Sequence, residues 1–163
     1  MKKIEQEYSF KVIDIKPFLK YCKDNDFKKI EKTEQLRILY KKSDKTMLRL
    51  TIKKCGNKIV KEMDFKQDKL SSDVFIERKE SLPIIYNDDE AIYSIIDFLG
   101  YKKSIELKRT RYVYEKKDVK VEIDEYVSPD KMFVVAIEGN TKNSNKVYNE
   151  LKGKYYKYFL KEK

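Results

Sequence analysis

Charged and apolar side chains alternate with a period of two along most of this chain, and that pattern limits the fold more than any other feature of the sequence. The first stretch to show it, residues 4–12, reads IEQEYSFKV. Its polar positions are Glu5, Glu7, Ser9 and Lys11, and its apolar positions are Ile4, Tyr8, Phe10 and Val12. Successive side chains of a β-strand point to opposite faces, so this stretch is predicted to form a strand with one charged and one apolar face.

The alternation recurs and predicts eight strands. They lie at residues 4–12, 33–42, 45–54, 58–66, 73–86, 103–115, 119–127 and 131–139. Three segments have helical periodicity instead, and they lie at residues 14–27, 87–100 and 144–163. Asp14 is the predicted N-cap of the first helix. Consecutive antiparallel strands with covering helices predict an α+β fold, a closed eight-stranded antiparallel barrel or strongly bent sheet with about three flanking helices, as a single domain over residues 1–163.

The charged strand faces admit two interpretations. In the first, they are the solvated side of an antiparallel sheet, which is the commonest strand design. In the second, they point into the bore of a closed barrel, and the apolar faces point outward to the helices. Such a bore would bind a highly charged anion together with its metal ions, because carboxylates coordinate Mg²⁺ or Mn²⁺ and cationic side chains clamp phosphate oxygens.

Net charge and the lack of histidine narrow the chemistry. Lys and Arg number 38 against 28 Asp and Glu, a formal net charge of +10, which favours nucleic acid, acidic lipid, nucleotide or polyphosphate as partner. Because histidine is absent, histidine–metal sites, Ser-His-Asp or Cys-His catalysis and a histidine general base are excluded. Any reaction must use carboxylates, lysine, arginine, tyrosine or a metal held by oxygen.

The sequence predicts a cytoplasmic protein without a membrane partner. Its N-terminal part has no apolar stretch of the signal-peptide type, and no segment approaches the roughly 20 apolar residues of a membrane-spanning helix. The two cysteines, Cys22 and Cys55, are far apart and form no CxxC pair, which is typical of free thiols in a reducing compartment.

Short motifs follow one another between residues 4 and 139. They are Glu5-Gln6-Glu7, Leu48-Arg49-Leu50-Thr51, Met63-Asp64-Phe65-Lys66, Arg78-Lys79-Glu80, Leu99-Gly100-Tyr101, Arg109-Thr110-Arg111-Tyr112-Val113-Tyr114, Val121-Glu122-Ile123-Asp124 and Ala136-Ile137-Glu138. Their order and spacing resemble the CYTH superfamily, also called triphosphate tunnel metalloenzymes. Its members include small bacterial adenylyl cyclases, thiamine triphosphatases, inorganic triphosphatases and fungal-type RNA triphosphatases.

The resemblance implies an eight-stranded tunnel that binds a triphosphate and Mg²⁺ or Mn²⁺. The implied metal ligands are Glu5, Glu7, Glu122, Asp124 and Glu138. The implied substrate-binding residues are Lys11, Arg49, Lys53, Lys66, Arg78, Glu80, Arg109 and Arg111. Glu5, Glu7 and Lys11 are the implied catalytic residues, with a carboxylate of Glu5 or Glu7 orienting the attacking water.

The chain departs from the family pattern at three positions. Ser9 stands where the ExExK signature has lysine, Thr51 replaces a second arginine, and Ala136 replaces a glutamate. Lys11 lies on the same strand face as Ser9 about 6 to 7 Å further on and could reach a similar phosphate. Arg37 stands near a position where relatives often carry an acid.

A further irregularity concerns the strand at 103–115. Arg109 and Arg111 share strand parity with the apolar Ile105 and Leu107, which predicts a bulge or a polar strand end.

The C-terminal aromatic residues are predicted to pack a helix on the sheet, although they could instead cap one mouth or stack a base. These residues are Tyr155, Tyr156, Tyr158 and Phe159.

Three functions remain open on this sequence. The first is metal-dependent hydrolysis of a triphosphate-bearing substrate, such as a nucleotide, thiamine triphosphate or inorganic triphosphate. The second is a nucleotide cyclase or lyase on the same scaffold, in which a ribose 3′-hydroxyl attacks the α-phosphorus. The third is a non-catalytic binder of nucleotides or of RNA, including an RNA 5′-end, which Ser9 and Ala136 favour.

Overall fold

The computed structural model of the chain describes residues 2–43, 45–68 and 73–161, with the backbone alone for residues 2–4. The strands are β1 Lys2–Val12, β2 Lys28–Lys41, β3 Thr46–Cys55, β4 Lys58–Gln67, β5 Phe75–Ser81, β6 Ile84–Ile85, β7 Lys102–Lys116, β8 Val119–Ser128 and β9 Met132–Gly139. The helices are α1 Lys16–Asp24, α2 Asp89–Phe98 and α3 Thr141–Tyr155, and a 3₁₀ turn at Tyr156–Tyr158 follows α3.

Eight of these strands close into a barrel. Their order is β3-β2-β7-β8-β9-β1-β5-β4, every pairing is antiparallel, and β4 pairs back onto β3. The two-residue strand β6 adds to β4 outside this circuit. The predicted α+β fold, a closed eight-stranded antiparallel barrel with three flanking helices, is therefore confirmed.

Several predicted boundaries were wrong. The predicted strand 73–86 is interrupted after Ser81, because Pro83 has no N–H to donate to a ladder. Helix α1 is shorter than predicted, and Ile15 rather than Asp14 is its N-cap, although the Asp14 carboxylate accepts a hydrogen bond from the Lys16 N–H at 3.0 Å.

The third helix also differs from its prediction. It begins at Thr141, where the side chain of Asn140 accepts the N–H groups of Lys142 and Asn143. It ends at Tyr155 rather than continuing to residue 163, and Phe159 instead forms a β-bridge with Val12 of β1. Residues 162–163 of that prediction lie outside the described residues.

The apolar faces of the strands point outward and are covered by the helices. One cluster lies beneath α1 and α3, and the other lies beneath α2. In the first, Tyr8 stacks on Tyr148 with ring centroids 4.6 Å apart, and Phe10 stacks on Phe159 at 4.4 Å. The predicted packing role of the C-terminal aromatic residues is thus observed for Tyr155, Tyr158 and Phe159, whereas Tyr156 is about half exposed. The side chain of Ile4 lies outside the described residues. None of the helices in the described ranges is long and apolar enough to cross a membrane.

Candidate active site

A cavity of about 590 Å³ fills the barrel and is lined by the charged strand faces. Its acidic lining residues are Glu5, Glu7, Glu31, Glu62, Asp64, Glu80, Glu115, Glu122, Asp124 and Glu138. Its cationic lining residues are Arg37, Arg49, Lys53, Lys66, Arg78, Arg109, Arg111 and Lys120. The interpretation in which the charged faces line a bore is the one that the structure supports.

One predicted site residue is not brought to this cavity. Lys11 is exposed and pairs with Val134 near the end of β1, beyond Ser9, which is the last residue of β1 that lines the cavity. Its proposed replacement of the signature lysine therefore stays a prediction, and the geometry gives it no support. Every other predicted site residue lines the cavity.

Three carboxylates form the tightest acidic group in the described part of the chain. Glu5 and Glu7 come from β1 and Glu138 from β9, and one carboxylate oxygen of each lies within 4.8 Å of the others. The ladder between β1 and β9 sets Glu7 directly opposite Glu138. Two or three carboxylate oxygens at this spacing are the donor set that Mg²⁺ and Mn²⁺ prefer.

Cations balance only part of this acidic group. The Lys66 ammonium lies 2.5 Å from Oε2 of Glu5, and Nη2 of Arg78 donates to Oε1 of Glu7 at 3.1 Å. Burial acts to raise the pKa of Glu5, but Lys66 and Arg78 outweigh it, and the pKa lies below its ordinary value. For Glu7, burial and the charge of Glu5 prevail and raise the pKa to about 7.

Glu138 resembles Glu7 in this respect. Burial and the charge of Glu122 raise the pKa of Glu138, although the Lys120 ammonium lies 2.5 Å from its Oε1. Carboxylates whose ionisation is opposed in the free protein are relieved when a divalent cation binds between them. The residues of this group therefore fit a bound Mg²⁺ or Mn²⁺.

The raised pKa of Glu7 gives a testable pH dependence of stability. A carboxyl that titrates near 7 in the folded protein and near 4.5 when unfolded lowers stability progressively as the pH rises from about 4.5 to 7. We expect the change in the free energy of unfolding that Glu7→Gln causes in the metal-free protein to be more favourable at pH 8 than at pH 5, by about 2 kcal/mol. Urea unfolding in EDTA at both pH values measures this, and equal effects at pH 5 and pH 8 would contradict it.

Asp124 is engaged by arginines rather than by the acidic group. Only 2% of Asp124 is exposed, and its carboxylate accepts Nε and Nη2 of Arg111 at 2.7 and 2.9 Å and Nη1 of Arg109 at 3.3 Å. Arg111 also pairs with Glu122. Burial acts to raise the pKa of Glu122, but the charges of Arg111 and Lys120 outweigh burial and lower this pKa to about 2. The group of three carboxylates includes neither Glu122 nor Asp124, so their predicted role as metal ligands stays a prediction.

A second set of ion pairs comes from β3 and β4. Arg49 donates to both carboxylate oxygens of Asp64 and lies 3.8 Å from Glu80, and Lys53 lies 3.3 Å from Glu62. Because Arg49 has acidic partners on two strands, its guanidinium is fixed facing the cavity. The predicted substrate-binding residues Arg49 and Lys53 are thus held by acids, and Glu80 lies 3.8 and 3.9 Å from the cations Arg49 and Lys66.

Several contacts of the site were missed from the sequence. Gln35 accepts Nε and Nη2 of Arg109 at 3.0 and 2.8 Å, and the hydroxyl of Tyr126 accepts Nη1 at 2.8 Å. Lys120 pairs with Glu138, as described above. All three occupy inward positions of their strands, and this parity was the only sequence signal that could have found them.

The departures from the family pattern lie in two cross-strand pairs of the barrel. Ser9 of β1 pairs with Ala136 of β9, and Thr51 of β3 pairs with Arg37 of β2. All four residues line the cavity. The positions where the pattern has an extra lysine and an extra glutamate are therefore facing neighbours, and a small uncharged pair replaces both.

The predicted irregularity near Arg109 is present. The ladder between β7 and β8 shifts register between Lys108 and Arg109, which is the mark of a β-bulge. Leu107 nevertheless faces the cavity, together with the apolar residues Leu39, Met47 and Val134. These four residues lie toward the same end of the barrel, because β2 ends where β3, β7 and β9 begin.

No protein-family model matches the chain, and no curated protein matches it in sequence. Solved structures match it in fold. PH1012 of Pyrococcus horikoshii superposes with a TM-score of 0.71 at 18% identity, over 96% of this chain and 94% of that one. HpAC1 from Hippeastrum, for which a dominant triphosphatase activity is reported, matches with a TM-score of 0.64 at 12% identity, over 91% and 87% of the two chains.

The fold also occurs in a multi-protein assembly. A chain of the Mediator head module of Schizosaccharomyces pombe matches with a TM-score of 0.67 at 10% identity, over 97% of each chain. Identities this low show a shared fold and no more. The chain shares its closed eight-stranded antiparallel barrel with these structures, which is the fold that the resemblance of its motifs implies.

Proposed function

We propose that this protein is a metal-dependent phosphohydrolase that acts on a triphosphate-bearing substrate inside the barrel. The observation that carries the proposal is one cavity inside the barrel that is lined both by the carboxylates Glu5, Glu7 and Glu138 and by a set of inward arginines. The carboxylates fit a divalent cation, and the arginines fit phosphate oxygens. The triphosphatase activity reported for HpAC1, which shares the fold, supports the same reaction class.

Glu5, Glu7 and Glu138 would hold Mg²⁺ or Mn²⁺, which when bound polarises a phosphoryl oxygen and neutralises charge on the phosphate chain. Lys66 and Arg78, which already face these carboxylates, are placed to contact oxygens of the same phosphate. Arg49, Arg109 and Arg111 bind the remaining phosphates, since each is fixed by an acid and keeps a face on the cavity.

Hydrolysis then needs a positioned water and a proton acceptor. A carboxylate of β1, from Glu5 or Glu7, orients the water in line with the terminal phosphorus and accepts its proton. The water oxygen bonds to phosphorus, the bond to the bridging oxygen breaks, and orthophosphate and a diphosphate leave. The arginines stabilise the charge that develops on the equatorial oxygens.

A non-catalytic binder is the second candidate, and a specific observation favours it. Ser9 and Ala136 face each other across the ladder between β1 and β9, next to the acidic group. This pair leaves the cavity without the lysine and the glutamate that the family pattern has there. If those two residues are required for turnover, the barrel binds a nucleotide or an RNA 5′-triphosphate without cleaving it.

The two candidates are separated by product analysis. The protein is incubated with inorganic triphosphate, ATP, thiamine triphosphate and an RNA 5′-triphosphate, each with Mg²⁺, with Mn²⁺ and with EDTA. We expect orthophosphate from at least one substrate, and only when metal is present. A cyclic nucleotide with pyrophosphate would show a cyclase, and binding without product would show a binder. The absence of both binding and product for all four substrates would overturn the proposal.

A further inference from the structure

Arg37 is a cavity arginine that forms no ion pair with an acidic side chain of the described residues, although the charge of Glu122 acts on it from beyond ion-pair distance. It lies on β2, faces the cavity, and makes no ion pair or hydrogen bond anywhere in the described residues. Its Nε is buried without a hydrogen-bond partner. A buried donor left unsatisfied in a native fold requires an explanation, and a ligand that is bound in the working state is one of the few available.

The neighbours of Arg37 explain why it has no partner. Across the ladders it faces Thr51 of β3 and Leu107 of β7, and along its own strand the adjacent inward residues are Gln35 and Leu39. All four are uncharged. The amide oxygen of Gln35, the one strong acceptor among them, is already occupied by two donors of Arg109.

The surrounding charges add to this imbalance. Burial, and then the charges of Arg109, Arg49 and Arg111, push the pKa of Arg37 well below its ordinary value. The acids nearest to those three arginines are engaged by them: Asp64 by Arg49, Asp124 by both Arg109 and Arg111, and Glu122 by Arg111. In the free protein this region of the cavity therefore has an excess of positive charge.

We propose that Arg37 binds an oxygen of the substrate's phosphate chain directly, at an anion subsite that needs no metal. The inference rests on the proposed function, because it concerns a ligand in the same cavity. Guanidinium groups bind phosphate through paired N–H donors, and an anion at Arg37 supplies both the missing acceptor and the missing negative charge. The cavity thus binds an anion in two ways. One is through metal ions and basic side chains that carboxylates hold, and the other is through Arg37, which no carboxylate holds.

The test is calorimetric binding of inorganic triphosphate in EDTA, which removes the metal-dependent mode. We expect Arg37→Gln to weaken this binding roughly ten- to a hundredfold, the range for losing hydrogen bonds to a charged partner. Arg37→Lys keeps the charge but loses the paired donors, so its affinity is expected between the two. Lys23→Gln, which removes an exposed cation at the end of α1, is the matched control and is expected to bind like the unmodified protein.

Thermal unfolding separates a ligand-binding role from a structural one. Without anion, Arg37→Gln is expected to be at least as stable as the unmodified protein, because it removes a half-buried cation that has no ion-pair partner in the described residues. With triphosphate added, the unmodified protein is expected to gain more in Tm than Arg37→Gln. A loss of stability in Arg37→Gln without anion would overturn the inference.

The remaining outcomes are also decisive. If the unmodified protein binds triphosphate but both Arg37 variants bind it equally well, the inference fails and the proposed function stands. If Lys23→Gln weakens binding as much as Arg37→Gln, the effect is one of net charge and the inference again fails. If the unmodified protein binds triphosphate neither in EDTA nor with Mg²⁺, the proposed function itself fails.

Discussion

Replacement of Glu5 and Glu138 together by glutamine is expected to lower metal-dependent triphosphate hydrolysis by about a thousandfold or more. The two side chains supply carboxylate oxygens from different strands to the group of three, and an amide oxygen binds a divalent cation far more weakly than a carboxylate does. A bound ion contributes several kcal/mol to transition-state stabilisation, and each 1.4 kcal/mol or so is tenfold in rate. Orthophosphate release measured over a range of Mn²⁺ concentrations tests this.

Glu62→Gln is the matched control for this double variant. Glu62 is a carboxylate in the same cavity, but it pairs with Lys53 and does not belong to the group of three. Because that ion pair is partly exposed, its loss is expected to cost less than about tenfold in rate. If Glu62→Gln were as damaging as the double variant, or if the double variant kept full metal-dependent activity, the assignment of the metal site would be wrong.

Substitution of Asp124 by alanine is expected to destabilise the fold by roughly 3–5 kcal/mol, the usual cost of removing one partner of a buried ion pair. The carboxylate is almost fully buried and compensates two guanidinium groups, those of Arg109 and Arg111. Its loss leaves both cations in the cavity wall with Glu122 as the remaining acid beside Arg111. Urea unfolding of the metal-free protein measures the effect, and Asp97→Ala on the exposed surface of α2 is expected to change stability by less than about 0.5 kcal/mol.

A conservative variant of Asp124 tells whether this residue positions the arginines or binds the metal. If Asp124 positions the arginines, Asp124→Asn should retain the rise in Tm that Mn²⁺ produces in the unmodified protein. If Asp124 is a metal ligand, as the family resemblance implies, that rise should be lost. Glu7→Gln, which alters the group of three itself, provides the comparison in which the rise is expected to disappear.

The fold was predictable because strand alternation is a local property. Residues such as Leu48 and Leu50 are buried outside the bore and Arg49 and Thr51 lie inside it, as period two requires. Alternation alone could not decide whether the charged face was wet or enclosed, since both arrangements have the same pattern. Closure depends on the ladder between β3 and β4, a tertiary contact.

The sequence predicted most of the residues that line the site but not which of their side chains contact one another. Parity places Asp124 in the bore, but only the register of β8 against β7 sets it opposite Arg111 rather than beside Glu138. Lys11 has the correct parity too, yet it lies past the end of the cavity lining, which depends on barrel geometry rather than sequence spacing. The lack of a partner for Arg37 likewise depends on two neighbouring strands at once.

The pairing of the first strand with the ninth has a consequence for the order of assembly. Glu7 meets Glu138, which lies about 130 positions further along the chain, only when β9 docks on β1. Contacts between segments so distant in sequence form late, because a long loop must close before they are made. A nascent chain interrupted before β9 carries only two of the three carboxylates of the proposed metal site. If the proposal is correct, cation binding and turnover therefore begin only after the last strand of the barrel has been synthesised.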